Sequence, residues 1–239
     1  MRRRFFIEKF ADRTAVMEGD AAHHLGRVLR AQAGQVYELS DGNRVWLAEI
    51  SGVSRDSVNF NLLEQLPANK PALETTLLLA VVKFDAFEWA LEKATELGVS
   101  LIVPLAAERS EKGHLAAAVK RSERWQKLLL EASQQSRRVQ LPVLHPLAKP
   151  TNAFAEHNNG VRVLLSEARE AVPLKTILEV KRNQSAVLAI GPEGGWTDDE
   201  FVAARQAGFQ EASLGRLILR TETAVVAALS CLNFALGTE

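Results

Sequence analysis

The hydrophobic pattern changes character near residue 70. Before it, apolar side chains come in short alternating runs. Val58-Asn59-Phe60-Asn61-Leu62 places every second side chain on one face, as a half-buried strand does, and Val45 to Ile50 reads as another strand. Asp41-Gly42-Asn43, between Val36–Ser40 and Arg44–Ile50, is a hairpin signal. Asp20 is placed to cap a short helix running through Arg30, with Leu25, Val28 and Leu29 on one face and Gly34 beyond its end. Several short strands with one helix predict a small barrel. Residues 66 to 74 carry two prolines and little hydrophobic pattern, which makes them the best domain boundary.

After the boundary, continuous apolar runs alternate with helical periods. Strands are predicted over Thr75–Val82, Val99–Ala106, Val139–Leu144, Val161–Ser166, Ser185–Ile190 and Ala212–Leu217. Phe84, Phe87, Leu91 and Ala94 share one face of a helix that Gly98 ends, and Trp125, Leu128, Leu129 and Ala132 mark another. A last helix, Ala224 to Leu236, is apolar on nearly all faces. Repeated strand–helix units predict an α/β domain with a mostly parallel sheet covered on both sides. The expected division is therefore 1–72 and 73–239.

Composition narrows the function classes. The 239 residues are 47% hydrophobic, ample for a core, and no run reaches the apolar length of a membrane span. The single cysteine, Cys231, excludes an intrachain disulfide and fits a reducing cytoplasm. Five histidines and that cysteine form no metal-ligand spacing, so no metal is expected. Net charge is zero, so nucleic acid would have to be held by local patches rather than bulk charge. The first thirty residues hold seven cations, including Arg2, Arg3, Arg4, Arg27 and Arg30, against four carboxylates; a solvated basic face explains that excess as simply as a binding patch does.

The chemistry concentrates between Leu188 and Ala227. A buried strand through Ile190 leads into Gly191-Pro192-Glu193-Gly194-Gly195, whose glycines turn sharply and leave backbone N–H groups uncovered. Thr197-Asp198-Asp199-Glu200 then has the form of a capping box, so a strand end, a bare loop and a helix start follow in order, the arrangement at which open α/β sheets bind ligands. Glu193, Asp198, Asp199 and Glu200 would neutralise the helix terminus and repel a phosphate. The loop suits a neutral or cationic ligand, or it is a plain structural turn. Arg220, Thr221 and Glu222, polar residues between an apolar strand and an apolar helix, favour a site.

The runs G-P-E-G-G and L-G-R-L-I-L-R-T-E-T-A, in this order, closely resemble the ribosomal RNA uridine-N3 methyltransferases of the SPOUT superfamily. Segments at Lys83, Lys93 to Gly98, Arg109-Ser110 and Gln135-Ser136-x-Arg138 extend the likeness over nearly the whole chain; Asn43 stands where relatives often have glycine. The resemblance implies a knotted C-terminal methyltransferase domain over 73–239 and a PUA-like RNA-binding barrel over 1–72. It also implies a homodimer acting on 16S rRNA of the small ribosomal subunit, with S-adenosylmethionine as cofactor. On that basis the cofactor residues are Leu165, Gly191, Pro192, Glu193, Gly194, Gly195, Leu214, Gly215, Ile218 and Leu219. Arg220 would steady the uracil anion and Glu222 accept a proton or orient Arg220; a purely structural Arg220–Glu222 pair is an equal physical alternative. Arg2, Arg3, Arg4, Arg27, Arg30, Arg109 and Arg138 are the candidate RNA contacts, Arg109 and Arg138 also being candidates for partner-subunit contacts. An inactive RNA-binding assembly factor and a nucleotide-binding α/β protein are the competing classes.

Overall fold

The computed structural model describes residues 3–168, 170–179 and 185–237. It divides into two compact units, one running to Lys70 and including Ser133–Leu141, the other formed by Pro71–Ala132 and the chain from Pro142 onward.

The first unit is a six-stranded sheet. Its strands are β1 (Arg4–Phe6), β2 (Phe10–Ala11), β3 (Thr14–Glu18), β4 (Val36–Ser40), β5 (Val45–Val53) and β6 (Ser57–Leu66), in the order β1-β4-β5-β6-β3-β2. The β4–β5 hairpin turns where the sequence predicts. Gly42 takes φ +88°, and Asp41 Oδ1 accepts the amides of Asn43 at 3.0 Å and Arg44 at 2.7 Å. Two register shifts between β5 and β6 allow the long pair to bend around Phe5, Leu25, Leu39, Ile50 and Phe60, all essentially unexposed. The predicted helix from Asp20 to Arg30 is two pieces, α1 (Gly19–His23) and a π-helical turn, His24–Val28. The helical turn ends at Val28, two residues short of the expected Arg30, which itself takes a left-handed backbone (φ +52°).

Arg4 corrects an expectation. It is only 8% exposed, with Nε and Nη2 donating to Glu38 Oε2 at 3.1 and 2.8 Å and Nη1 donating to the Arg137 carbonyl. A buried cation with three such bonds has its donors spent on holding the unit together. Removing one member of such a pair typically costs about 3–5 kcal/mol. Ser40 Oγ likewise donates to the Val139 carbonyl at 2.7 Å, which is why residues 133–141 group with this unit.

The second unit holds seven parallel strands: β7 (Glu74–Ala80), β8 (Leu101–Leu105), β9 (Val143–Leu144), β10 (Val161–Leu165), β11 (Val172–Pro173), β12 (Ser185–Ile190) and β13 (Gln210–Ser213). Their order is β11-β13-β10-β12-β7-β8-β9. Leu77, Leu78 and Leu79 are consecutive and fully buried because the sheet has a core on each face: Leu77 and Leu79 enter one, Leu78 and Ala80 the other. Helices α2 (Phe84–Glu96), α4 (Ser122–Gln135), α6 (Leu174–Glu179) and α8 (Thr221–Leu236) contribute to the first core. Those supplying the second are α5 (Pro150–Glu156) and α7 (Asp198–Gln206). Gly98 (φ +90°) closes α2 as expected. Short α3 (Lys112–Ala118), α5 and α6 have too few turns to show a period in the sequence. The expected strand 139–144 shrinks to Val143–Leu144, and that over 212–217 ends at Ser213.

Candidate functional site

β13, β10 and β12 are neighbours, so their carboxyl ends open side by side. The segments leaving them, from Ser166, Gly191 and Leu214, surround a cavity of about 480 Å³. Leu165, Gly191, Pro192, Glu193, Gly194, Gly195, Leu214, Gly215, Ile218 and Leu219 all line it, as does Arg220. Residues from three separate stretches of chain thus meet at one crevice.

The glycine loop is held from below and from both sides. Trp196 is buried, its indole N–H donating to the Leu165 carbonyl at 3.0 Å, and its ring lies under Gly191, where an added Cβ would meet it at 3.0 Å. A Cβ on Gly194 would come within 3.1 Å of Arg109 Cβ, and Gly195 has φ +71°. Packing thus favours glycine at 191 and 194, and backbone conformation favours it at 195, whatever the loop binds. Gly195 N–H donates to the Pro192 carbonyl at 2.9 Å, closing the turn.

The capping box is present. Thr197 Oγ1 accepts the Glu200 amide at 3.3 Å, and Glu200 Oε2 accepts the Thr197 amide at 2.8 Å. Of the four acids expected to crowd the site, only Glu193 lines the cavity; Glu200 is turned inward and Asp198 and Asp199 lie outside the lining. The cap takes up the Thr197 and Glu200 amides, so this helix terminus offers fewer donors to a phosphate than a bare one would.

The run Leu214–Leu219, expected as a strand, is an irregular loop. Leu217 and Ile218 are 82% and 79% exposed. Gly215 has φ +130°, a backbone that other residues avoid. The loop ends at Arg220, which caps α8 from an extended conformation with no side-chain capping bond. Arg220 is exposed and, among the described residues, within ion-pair distance of no carboxylate. Glu222 is half-buried in the first turn of α8 and does not line the cavity, so the Arg220–Glu222 pair is not formed here.

Arg109 lines the same cavity and donates through Nη1 to the Gly194 carbonyl at 2.9 Å. Arg3, Arg27 and Arg30 are exposed on the first unit, whereas Arg2 lies outside the described residues. Arg138, also in the first unit, is half-buried and donates to the Gln140 carbonyl at 3.0 Å. Burial lowers its pKa to about 10, which leaves it charged at neutral pH.

Trp196 and Arg216 are not among the expected site residues, whereas Thr221 stands with Arg220 and Glu222 in the polar run that favours a site. Trp196 and Thr221 act through long-range bonds, the latter donating from Oγ1 to the Gly191 carbonyl at 3.4 Å. Arg216 and Glu167 also line the cavity. Glu167 sits in a polar run directly after β10, so its position at a strand's carboxyl end was the available signal. Among the described residues no group of three metal-binding side chains occurs, and no helix is long and apolar enough to cross a membrane.

Comparison with known proteins places the chain among relatives of one kind. Residues 69–233 match the RNA methyltransferase domain, and residues 18–63 the RNA methyltransferase PUA domain. The ribosomal RNA small subunit methyltransferase E of Synechocystis sp. is 36% identical, over 95% of this chain and 75% of the relative. That of Aquifex aeolicus is 30% identical over 91% and 93%. Among solved structures, a ribosomal RNA small subunit methyltransferase E from Neisseria gonorrhoeae bound to S-adenosylmethionine superimposes with a TM-score of 0.88 at 30% identity, covering 99% of both chains. A putative methyltransferase from Legionella pneumophila, also with S-adenosylmethionine, gives 0.87 at 28% over the full length of both.

Proposed function

The chain belongs to the RNA methyltransferase family, and from that premise we propose that it methylates the N3 of a uridine in 16S rRNA. It is an S-adenosylmethionine-dependent ribosomal RNA methyltransferase with the α/β fold of the SPOUT class and an N-terminal PUA-like barrel. The observation that carries the reading is the single cavity into which three strand ends bring all ten cofactor candidates together with Arg220.

The cavity residues fit S-adenosylmethionine. Leu165, Ile190, Leu214 and Leu219 offer apolar walls to a flat heterocycle, and the glycines offer backbone groups to its polar edge. Glu167 and Glu193 suit a ligand carrying positive charge. When bound, S-adenosylmethionine supplies an activated methyl group on a sulfonium. The chain's task is then to hold donor and acceptor in line and to stabilise the uracil anion left when the N3 proton passes to solvent.

Arg220 is the residue we assign to that anion. Among the described residues no carboxylate competes for its guanidinium, and it stands at the N-terminus of a sixteen-residue helix, where first-turn amides add positive potential. N3 lies on the Watson–Crick edge, so the base must be unpaired or flipped to reach it. Residues 1–72 serve as the RNA-holding barrel through Arg3, Arg27 and Arg30, with 73–239 as the catalytic domain. Arg109 meets a phosphate at the cavity mouth. We further propose a homodimer working in the cytoplasm, using the exposed Leu217, Ile218 and Phe234.

The test is nucleoside analysis after incubating the enzyme with S-adenosylmethionine and small subunits lacking the modification. The expected product is 3-methyluridine. Methylation on carbon, on ribose or at another base would overturn the assignment of N3.

A further inference from the structure

Arg109 projects from a β-turn that does not hold itself. The turn spans Ala107 to Ser110 and is closed by the Ser110 amide donating to the Ala107 carbonyl at 3.0 Å. Its corner residues are Glu108 and Arg109. Turn closure leaves the Glu108 amide free, and that amide donates to Glu200 Oε1 at 3.0 Å across 92 positions of sequence. Glu200 is 5% exposed. Its other oxygen, Oε2, accepts both the amide and the hydroxyl of Thr197, at 2.8 and 3.1 Å.

One buried carboxylate therefore joins the start of α7 to the loop after β8. From that loop the Arg109 side chain returns to the glycine loop and donates to the Gly194 carbonyl, packing so close that a Cβ there would lie 3.1 Å from its own. The circuit is closed: Glu200 holds Glu108, Glu108 positions Arg109, and Arg109 lies on the loop that Glu200's own helix follows. A helix cap alone would need only Oε2.

We propose that Glu200 is a positioning residue for RNA, fixing the Arg109 guanidinium at the cavity mouth where a phosphate of the substrate strand meets it. This rests on the reading of Arg109 as an RNA contact. In Glu200→Gln the amide presents one oxygen and one NH₂. It therefore cannot accept from both the Glu108 and Thr197 backbone donors, and one meets another donor.

The test is a double-mutant cycle on the full-length protein, with Glu200→Gln, Arg109→Ala and the pair. Affinity for the RNA substrate is measured across a salt series and affinity for S-adenosylhomocysteine by calorimetry. Each single variant is expected to weaken RNA binding about tenfold and to flatten the salt dependence by roughly one phosphate contact, a slope change near 0.7 for a single strand. The double variant should be no weaker than either single one, because the two changes remove the same contact. S-adenosylhomocysteine affinity should fall far less than RNA affinity, because Arg109 ties the glycine loop only through the Gly194 carbonyl; an equal loss of the two with an unchanged salt slope would make Arg109 a strut of that loop and overturn the proposal. Thr197→Val, which removes the hydroxyl but leaves Glu108 held, should retain near-normal RNA affinity, and it decides the matter if Glu200→Gln folds poorly. Additive losses in the double variant, an unchanged salt slope in Glu200→Gln, or RNA loss in Thr197→Val equal to that in Arg109→Ala would overturn the proposal. Unchanged RNA affinity in Arg109→Ala would overturn it together with the RNA reading of Arg109. These are binding measurements, so they stand apart from any failure of methyl transfer by the wild-type protein.

Discussion

The two loops that bound the cavity are built on opposite plans. Residues 191–197 are held at nearly every position: Trp196 lies beneath, Thr221 bonds to Gly191, Arg109 bonds to Gly194 and the capping box fixes the exit. Residues 214–220 have exposed leucine and isoleucine side chains and end in an arginine with no carboxylate partner among the described residues. A wall with its bonds already made loses little freedom when a ligand settles on it. A loop with its side chains unspent has contacts left to make with substrate or with a second subunit. On the function proposed above, the first loop is the prepared surface for the cofactor, and the second is the one assigned to the chemistry and the assembly contacts.

That contrast predicts different failures for the two loops. The largest effect should come from the open one. Arg220→Ala should reduce single-turnover methyl transfer by about two to three orders of magnitude, the scale for losing one electrostatic stabiliser. Calorimetry should find its S-adenosylhomocysteine affinity little changed. Arg220→Lys should recover only part of the rate, because a point charge lacks the planar fork of donors.

Next in size is a change in the held loop. Gly191→Ala drives a methyl group into the Trp196 ring, and overpacking of this kind typically costs about 1–3 kcal/mol. S-adenosylhomocysteine binding should weaken by about tenfold or more. Trp196 fluorescence should report the disturbance. If Gly191→Ala instead left cofactor affinity intact and abolished turnover, the division between the loops would be wrong.

Assembly should respond to the open loop as well. Replacing Leu217 and Ile218 with aspartate should shift sedimentation at micromolar concentration from dimer toward monomer. A wild-type chain that sediments as a fully active monomer would remove the dimer from the reading. The smallest effects belong to the barrel. Arg3→Ala, Arg27→Ala and Arg30→Ala should each weaken RNA binding several-fold and reduce its salt dependence, with cofactor affinity unaffected.

Much of this was legible before any coordinates. The alternation around Phe60, the apolar run of β12, the glycines after it and the Thr197–Glu200 cap are all local patterns, and local physics decides them. What the sequence concealed depends on distant partners. Leu214 to Leu219 has a strand's composition, yet Gly215 takes a backbone no strand uses, and Leu217 and Ile218 stay exposed. Arg4 sits among arginines that look alike; only Glu38, 34 residues on, makes it structural. Glu200 looks like a simple cap until the fold brings Glu108 to its second oxygen. Short helices and two-residue strands had no period to read.

The most direct measurement is the single-turnover rate of methyl transfer against pH, for the wild-type enzyme and Arg220→Ala, at saturating S-adenosylmethionine. With Arg220 stabilising the uracil anion, the wild-type rate should rise with pH and level off once the N3 proton is largely lost. The alanine variant should run lower and reach its plateau only at higher pH, with stability and cofactor affinity preserved. An unshifted pH profile, accompanied by weaker cofactor binding and a lower Tm, would make Arg220 a strut of the loop and contradict its role in the chemistry.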